Sequence, residues 1–297
     1  MEDPEGGCWS CDCWATRVLV ESTASDSIEF DRVEPTAGYQ TLFEVNYMNA
    51  IAENRALNLE EIKSGAIVLK SKPLQVNVEL TGICNIVPPC VFCTGKNFGH
   101  NYSHLDWKHI DEYGEFTSVC EQLNEDSFGE PLTHPKLVAL AQKVTARGQR
   151  FSFVTNGLLL NERRAGGLIE CGSLLGFHVS LNAATSDTYY KLQGRDFSVV
   201  IDNLIWFISS YKAIHGQSPD ITLTFIVMKI NRNEVKDFLR LAHDLDVTSL
   251  LAPLHDRPSI PLGKFGYDFV YENEMLSHEE YQSIGEEAIL YQRELAG

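Results

Sequence analysis

Leu74-Gln-Val-Asn-Val-Glu-Leu80 alternates apolar and polar residues as a half-buried strand does, and it gives way within a few residues to Cys84-Asn-Ile-Val-Pro-Pro-Cys90-Val-Phe-Cys93. Three thiolates in a strand-end loop can hold three irons of a [4Fe–4S] cube and leave the fourth iron open to react, much as a three-ligand zinc keeps an open position. Zinc suits the same cysteines, with His100 or His104 as a fourth ligand. Pro88 and Pro89 fix φ and stiffen the loop between Cys84 and Cys90.

From this strand onward the pattern is regular. Strands are expected at 74–80, near 120–127, and at 151–155, 177–182, 221–228 and 248–252, with helices in the gaps. Pro135, at a first helical position, and Gly148, past the end, bracket Leu137, Leu140, Ala141 and Val144 on one face. Asn161 and Gly172 bracket the next helix. Ser198 opens a longer one with Val200, Leu204, Phe207, Ile208 and Tyr211 in a stripe, and Asn233 caps another. Trp206 reads as core, and Met228 ends a strand facing the barrel. Strands alternating with helices point to a parallel sheet with right-handed crossovers. Six units are too few for eight-fold closure. The expected fold is therefore α/β, a partial (β/α)6 TIM-like barrel with an N-terminal extension and a C-terminal helix. The expected parts are residues 1–72, 73–255 and 256–297. Ser64–Lys70 reads as a short strand before the core. In such a sheet the working residues belong at the carboxyl ends of the strands.

The chain has 297 residues, is 44% hydrophobic and carries a formal net charge of −17, enough apolar residues for a sizeable core and the wrong sign for a phosphate backbone. A nucleic-acid partner is therefore not expected. No basic start with an apolar run opens the chain and no apolar run approaches a membrane span, so a soluble, cytoplasmic protein without a membrane partner is expected. The eight cysteines cluster as for metal rather than for a disulfide scaffold.

Four further motifs fall at successive strand ends. Ser127-Phe-Gly129-Glu130-Pro131 combines a residue that permits close backbone approach with an acceptor for an ammonium group; in isolation it is a loop into a Pro-initiated helix. Thr155-Asn156-Gly157 is by itself an ordinary turn. In Val179-Ser-Leu-Asn-Ala183, Ser180 and Asn182 share one side of a strand by period two, where both can hydrogen-bond one ribose; the plain alternative is a polar strand end. Arg195, after Gly194, either clamps a carboxylate or is a solvated surface arginine.

In this order, the three-cysteine loop, Gly-Glu-Pro, Thr-Asn-Gly, the Ser-x-Asn strand end and Gly-Arg resemble the radical S-adenosylmethionine (radical SAM) superfamily over about residues 65–255. The resemblance is nearest to the branch containing molybdenum-cofactor and pyrroloquinoline-quinone biosynthesis enzymes. It implies an enzyme in which Cys84, Cys90 and Cys93 hold a [4Fe–4S] cluster. Phe92 would lie near adenine, Gly129 and Glu130 would receive the methionine ammonium, and Ser180 and Asn182 would face ribose. Arg195 would bind the carboxylate, Asn156 is a weaker match, and Leu251 would line the adenine edge. An electron donor such as flavodoxin or ferredoxin and a peptide, protein or small-metabolite substrate are the implied partners. The alternative is a non-catalytic iron–sulfur or zinc protein on a decayed barrel. The loop departs from the superfamily's usual Cys-x3-Cys-x2-Cys, with five residues between Cys84 and Cys90.

Cys8-Trp-Ser-Cys11-Asp-Cys13 offers a second site, for zinc or an auxiliary iron–sulfur cluster with Cys120, Cys171 or substrate as a fourth ligand, or else forms a reduced tail. No cysteine follows Cys171, so the C-terminal cysteine-rich domain of that branch is not expected in this chain. The acidic stretch from Glu272 to Glu286 reads as a solvated helix face.

Overall fold

The structure, a computed structural model, describes residues 42–93, 103–106, 108–109, 114–254 and 270–296. Its centre is one parallel sheet whose spatial order is its sequence order: β1 (Gln75–Val78), β2 (Gln122–Glu125), β3 (Arg150–Thr155), β4 (Leu175–Ser180), β5 (Asp220–Val227) and β6 (Thr248–Pro253). Each strand pairs in parallel with the next, and β1 and β6 are left as edges of an open, partial barrel.

Alternation assigns the two faces. Leu123, Phe151, Phe153, Phe177, Val179, Leu223 and Phe225 are buried against the helices. Phe153 stacks on Phe177 at 4.8 Å between ring centroids, and Phe177 meets Phe207 edge-on at 5.2 Å. The other face is polar along its middle, with Val154 and Ile226 on it toward the carboxyl ends of β3 and β5. Asn124 Nδ2 donates to Asn77 Oδ1 (2.8 Å), Ser152 Oγ to Asn124 Oδ1 (2.5 Å), and His178 faces Thr224 Oγ1 at 3.4 Å. A closed barrel fills this space with branched apolar side chains; here it is an open polar trough.

Five long helices cover the apolar face and the flanks: α2 (Leu137–Thr145), α3 (Ser186–Gln193), α4 (Phe197–His215), α5 (Val235–Asp244) and α6 (His278–Leu295). They follow α1 (Leu42–Ser64), which lies across the amino ends of the strands. There Asn54 bonds the backbone of Lys72 and Val119, and Arg55 pairs with Glu121 at 3.1 Å. Ser64–Lys70, expected as a strand, is the end of α1 and an irregular connection. Gly65 there takes the left-handed conformation.

Several boundaries differ from expectation for capping reasons. Pro135 stands outside α2, which begins at Leu137. Asp196, not Ser198, caps α4, accepting from the Ser198 N–H at 2.9 Å. Asn233 lies within a 3-10 turn (Arg232–Glu234) that leads into α5 rather than capping it. Asn161 does cap, but one α turn (Glu162–Ala165) then tightens into 3-10 geometry through Leu174, with the kink at Gly172, φ 58°. Contrary to the expectation about span-length runs, α4 is long and apolar enough to cross a membrane by length and composition. Its stripe of Val200, Leu204, Phe207, Ile208 and Tyr211 is buried in the core.

Candidate active site

The carboxyl ends of the strands surround a cavity of about 320 Å³ lined by Cys84, Cys90, Cys93, Phe92, Gly129, Glu130, Asn156, Ser180, Asn182 and Gln193, with Pro253 and Leu254 from the end of β6. The wall begins with two backbones in contact. Gly129 N–H donates to Thr81 O (3.2 Å) and Glu130 N–H to Ile83 O (2.8 Å), which fastens the Gly-Glu-Pro loop to the residues leading into Cys84. A Cβ on Gly129 would stand 2.5 Å from Thr81 O and 2.6 Å from Ile83 O, so only glycine allows this approach.

Glu130 is 1% exposed. Its Oε1 accepts from Thr155 Oγ1 (2.6 Å) and Leu132 N–H (3.1 Å), and its Oε2 accepts from Asn156 N–H (2.7 Å). Burial pushes the carboxyl up to about 7, against the opposing pull of these bonds. A cation in the cavity would restore its ionised form. Glu125, which sequence reasoning missed, ends β2 in a similar state: 1% exposed and pushed up to about 7 chiefly by burial. It accepts from Leu80 N–H at 3.2 Å and from Ser127 Oγ, tying the ends of β1 and β2 together.

The enlarged cysteine loop is held from three sides. Asn156 Nδ2 donates to Asn85 Oδ1 at 2.8 Å and lies 3.9 Å from Cys84 Sγ. Val91 N–H donates to Leu192 O (3.0 Å) at the end of α3. Arg195 Nη2 donates to Asn85 O (3.3 Å) and Val87 O (3.0 Å). The arginine expected to clamp a carboxylate thus grips the loop backbone and is not on the cavity lining. Below the loop, Val91, Leu192 and Met228 form a small buried cluster that Phe92 packs against.

Ser180 and Asn182 reach the cavity by a different route from the one expected. β4 ends at Ser180, and Asn182 takes a left-handed turn with φ 59°, so period two does not relate them. Asn231 fixes this turn, its Nδ2 donating to Asn182 O (2.9 Å) and Ile226 O (2.8 Å). Leu251 lies in the core at 7% exposure, with Pro253 and Leu254 on the wall instead; the strand runs past it before reaching the cavity. Glu274, expected on a solvated face, is 6% exposed and accepts from Ile230 N–H at 2.9 Å.

Cys84, Cys90 and Cys93 are free thiols. Burial pushes Cys84 and Cys90 up, and the neighbouring thiols add to the rise at each. Burial thus favours the neutral thiol at Cys84 and Cys90, and a metal's positive charge would draw them to thiolates. Among the described residues no three His, Cys, Asp or Glu side chains close into a metal cage; the thiols line a cavity. His104, the described zinc-ligand candidate, bonds Thr81 Oγ1 at 2.9 Å and packs on His134. Three soft donors bordering an open cavity, with no fourth among the described residues, have the chemistry to hold a cluster with one open iron. Cys120 and Cys171 are buried near the amino ends of β2 and β4, away from this loop. Cys8, Cys11, Cys13 and His100 lie outside the described residues.

An open six-stranded α/β barrel with a three-thiol loop at its first strand end defines a class, and the comparisons agree. The model of the Radical SAM superfamily matches residues 78–242, more than half the chain, and the chain belongs to that superfamily. Membership implies a [4Fe–4S] cluster and SAM as cofactors. A Probable GTP 3',8-cyclase of Saccharolobus islandicus (strain Y.N.15.51 / Yellowstone #2) is 29% identical over 224 residues, 71% of this chain and 65% of that protein. One from Saccharolobus solfataricus is 30% identical with the same coverage. An S-adenosylmethionine-dependent nucleotide dehydratase of Selenomonas ruminantium is 25% identical over 58% of this chain and 62% of its own length. The chain spans 65% of the length of the cyclases it matches. Streptococcus suis SuiB bound to S-adenosylmethionine superposes with a TM-score of 0.57 at 13% identity, covering 84% of this chain and 52% of SuiB, and shares the fold.

Proposed function

We propose that Cys84, Cys90 and Cys93 hold a [4Fe–4S] cluster, that SAM binds in the adjoining cavity, and that the chain uses SAM to take hydrogen from a substrate carbon. The observation that carries this is that three free thiols and a buried, cation-seeking carboxylate line the same cavity. Held by Cys84, Cys90 and Cys93, the cluster would supply the one-electron chemistry for reductive cleavage of SAM, with a flavodoxin- or ferredoxin-type protein as the electron donor.

The chain's own residues supply the geometry. Glu130 accepts from the amino group of SAM, and Gly129 lets its loop lie against the cysteine loop. Asn156 links that carboxylate to the loop, bonding Glu130 through its backbone and Asn85 through its side chain. Arg195 braces the same loop. Phe92, Ile226, Pro253 and Leu254 give the cavity apolar walls that exclude water. Ser180 and Asn182 face the ribose.

The trough formed by Asn77, Asn124, Ser152, His178 and Thr224 leads along the sheet from this cavity and suits a polar substrate, a small metabolite or a peptide segment. Among the described strand residues in register on that face, the one Lys or Arg is Arg150, which pairs with Asp220 at 2.7 Å. A neutral polar group matches this face better than a triphosphate does.

The test is anaerobic reconstitution with iron, sulfide and zinc analysis, then incubation with SAM and dithionite and chromatography for 5′-deoxyadenosine. Iron near four per chain and product formation that Cys90→Ala abolishes are expected from three ligated thiols. Stoichiometric zinc without iron, or equal product from Cys90→Ala, would overturn the proposal.

A further inference from the structure

Gln193 is the last residue of α3 and is 1% exposed. Its Nε2 donates to two backbone carbonyls, Ser180 O at 3.2 Å and Leu181 O at 3.1 Å. Carbonyls only accept, so these contacts settle which way the amide points: the nitrogen is turned to the end of β4 and Oε1 is the free end. Gln193 lines the cavity, and the contact of Oε1 there is Cys90 Sγ at 4.0 Å. A sulfur bound to iron has no proton to donate, so in the loaded site this acceptor faces the cavity.

Asn182 is the mirror case. Its Oδ1 accepts from Ile226 N–H at 2.8 Å, which leaves Nδ2 as the free end. That nitrogen is buried without a partner, in a residue that is 0% exposed and lines the same cavity. Gln193 is fastened to the two residues immediately before Asn182. One fixed acceptor and one fixed donor therefore belong to the lining of the same cavity at the end of β4, neither able to flip without breaking bonds behind it. A buried polar atom left unpaired costs about as much as a lost hydrogen bond; Asn182 Nδ2 is unpaired as it stands, Gln193 Oε1 becomes so once Cys90 is a thiolate, and each then calls for a ligand group.

We propose that Gln193 is a SAM-binding residue whose Oε1 accepts from a ribose hydroxyl while Asn182 Nδ2 donates to the other hydroxyl of the same diol. A vicinal diol supplies one donor and one acceptor at adjacent positions, which is what these two rigid amides require. The assignment rests on the reading that SAM occupies this cavity.

The experiment measures anaerobic affinity of the cluster-loaded protein for S-adenosylhomocysteine and its 2′-deoxy, 3′-deoxy and N6,N6-dimethyl forms. Three proteins are compared: wild type, Gln193→Met and Gln193→Glu. Both variants lose the amide nitrogen that bonds Ser180 and Leu181, but Gln193→Glu keeps an acceptor. Wild type is expected to bind one or both deoxy ligands about fivefold more weakly than the parent, as for one neutral hydrogen bond. Gln193→Met should bind the parent about fivefold more weakly and lose nothing further with the deoxy ligand that lacks the donor. Gln193→Glu should keep that sensitivity. Losses in Gln193→Met that simply multiply for every ligand would overturn the proposal, as would coupling to the N6-dimethyl ligand alone. Equal loss of sensitivity in both variants would make Gln193 a structural support for β4. If the loaded wild type binds no parent ligand, the SAM reading of the cavity is what fails.

Discussion

Replacing Glu130 by Gln separates charge from shape at the centre of the cavity. The carboxyl is held by three donors and still pushed by burial up to about 7 from an ordinary 4.5. A folded-state value above the unfolded one means that the folded protein binds the extra proton. Stability is therefore lost as pH rises from the lower value through the higher one, about 3 kcal/mol in all, and is constant above it. The Gln variant has no such loss, so wild type should fall in thermal stability relative to it between about pH 5 and pH 8 when SAM is absent. Binding moves the other way. If the amino group of SAM needs the carboxylate, affinity drops about tenfold per pH unit below the shifted value, or roughly 30-fold at about pH 5.5. The variant should lack this slope and bind about 10- to 100-fold more weakly at pH 8, the worth of a charge-assisted hydrogen bond. Anaerobic calorimetry in two buffers of different ionisation enthalpy tests this directly. Wild type should release close to one extra proton on binding below pH 7, and the variant none from this site. A variant with the wild-type slope and proton release would refute the assignment of Glu130 to the amino group.

Gly129→Ala would press a methyl against the Thr81 and Ile83 backbones and should cost about 1–3 kcal/mol, seen as a lower melting temperature and weaker SAM binding. Arg195→Ala frees the carbonyls of Asn85 and Val87, so iron should leave to a chelator faster while the fold holds; unchanged iron retention with weakened SAM binding would return Arg195 to the carboxylate role. Asn231→Ala strands Asn182 O, Ile226 O and Met228 N–H together, and thermal denaturation should show a loss of about 3 kcal/mol. Phe177→Ala removes the ring shared by Phe153 and Phe207 and should cost about 3–5 kcal/mol by the same measurement.

The sheet was legible because each strand states its own alternation: Phe151 and Phe153, or Ile221, Leu223 and Phe225, mark one buried face without reference to anything distant. The cysteines and Gly129-Glu130 stood out because each belongs to a short motif, and the structure brings them to the lining of one cavity. Helix starts were less so, since Asp196 and Ser198 are both good caps and only the chain's approach angle chooses between them. Arg195 was read for its charge, but its contacts depend on where the loop more than a hundred residues earlier comes to lie. Gln193 carried no signal at all. An amide at the end of a helix is commonplace, and its role appears only when the carbonyls of Ser180 and Leu181 fix its direction. Leu251 was misplaced because an edge strand extends past the core before it reaches the site.

The bracing of the cysteine loop also sets an order of events during synthesis. Its supports come from Asn156, Leu192 and Arg195, so the thiols emerge from the ribosome long before the residues that hold them. Local contacts form early and those of large sequence separation wait for the chain between them. Until α3 has docked, Cys84, Cys90 and Cys93 are three accessible cysteines on a nascent strand end, open to oxidation or to a stray metal. Iron–sulfur delivery that acts after residue 195 has joined the sheet meets a shaped receptacle; delivery before that meets a loop without walls. The yield of loaded protein in a cell should then depend on the timing of cluster supply relative to translation, with oxygen as the competitor.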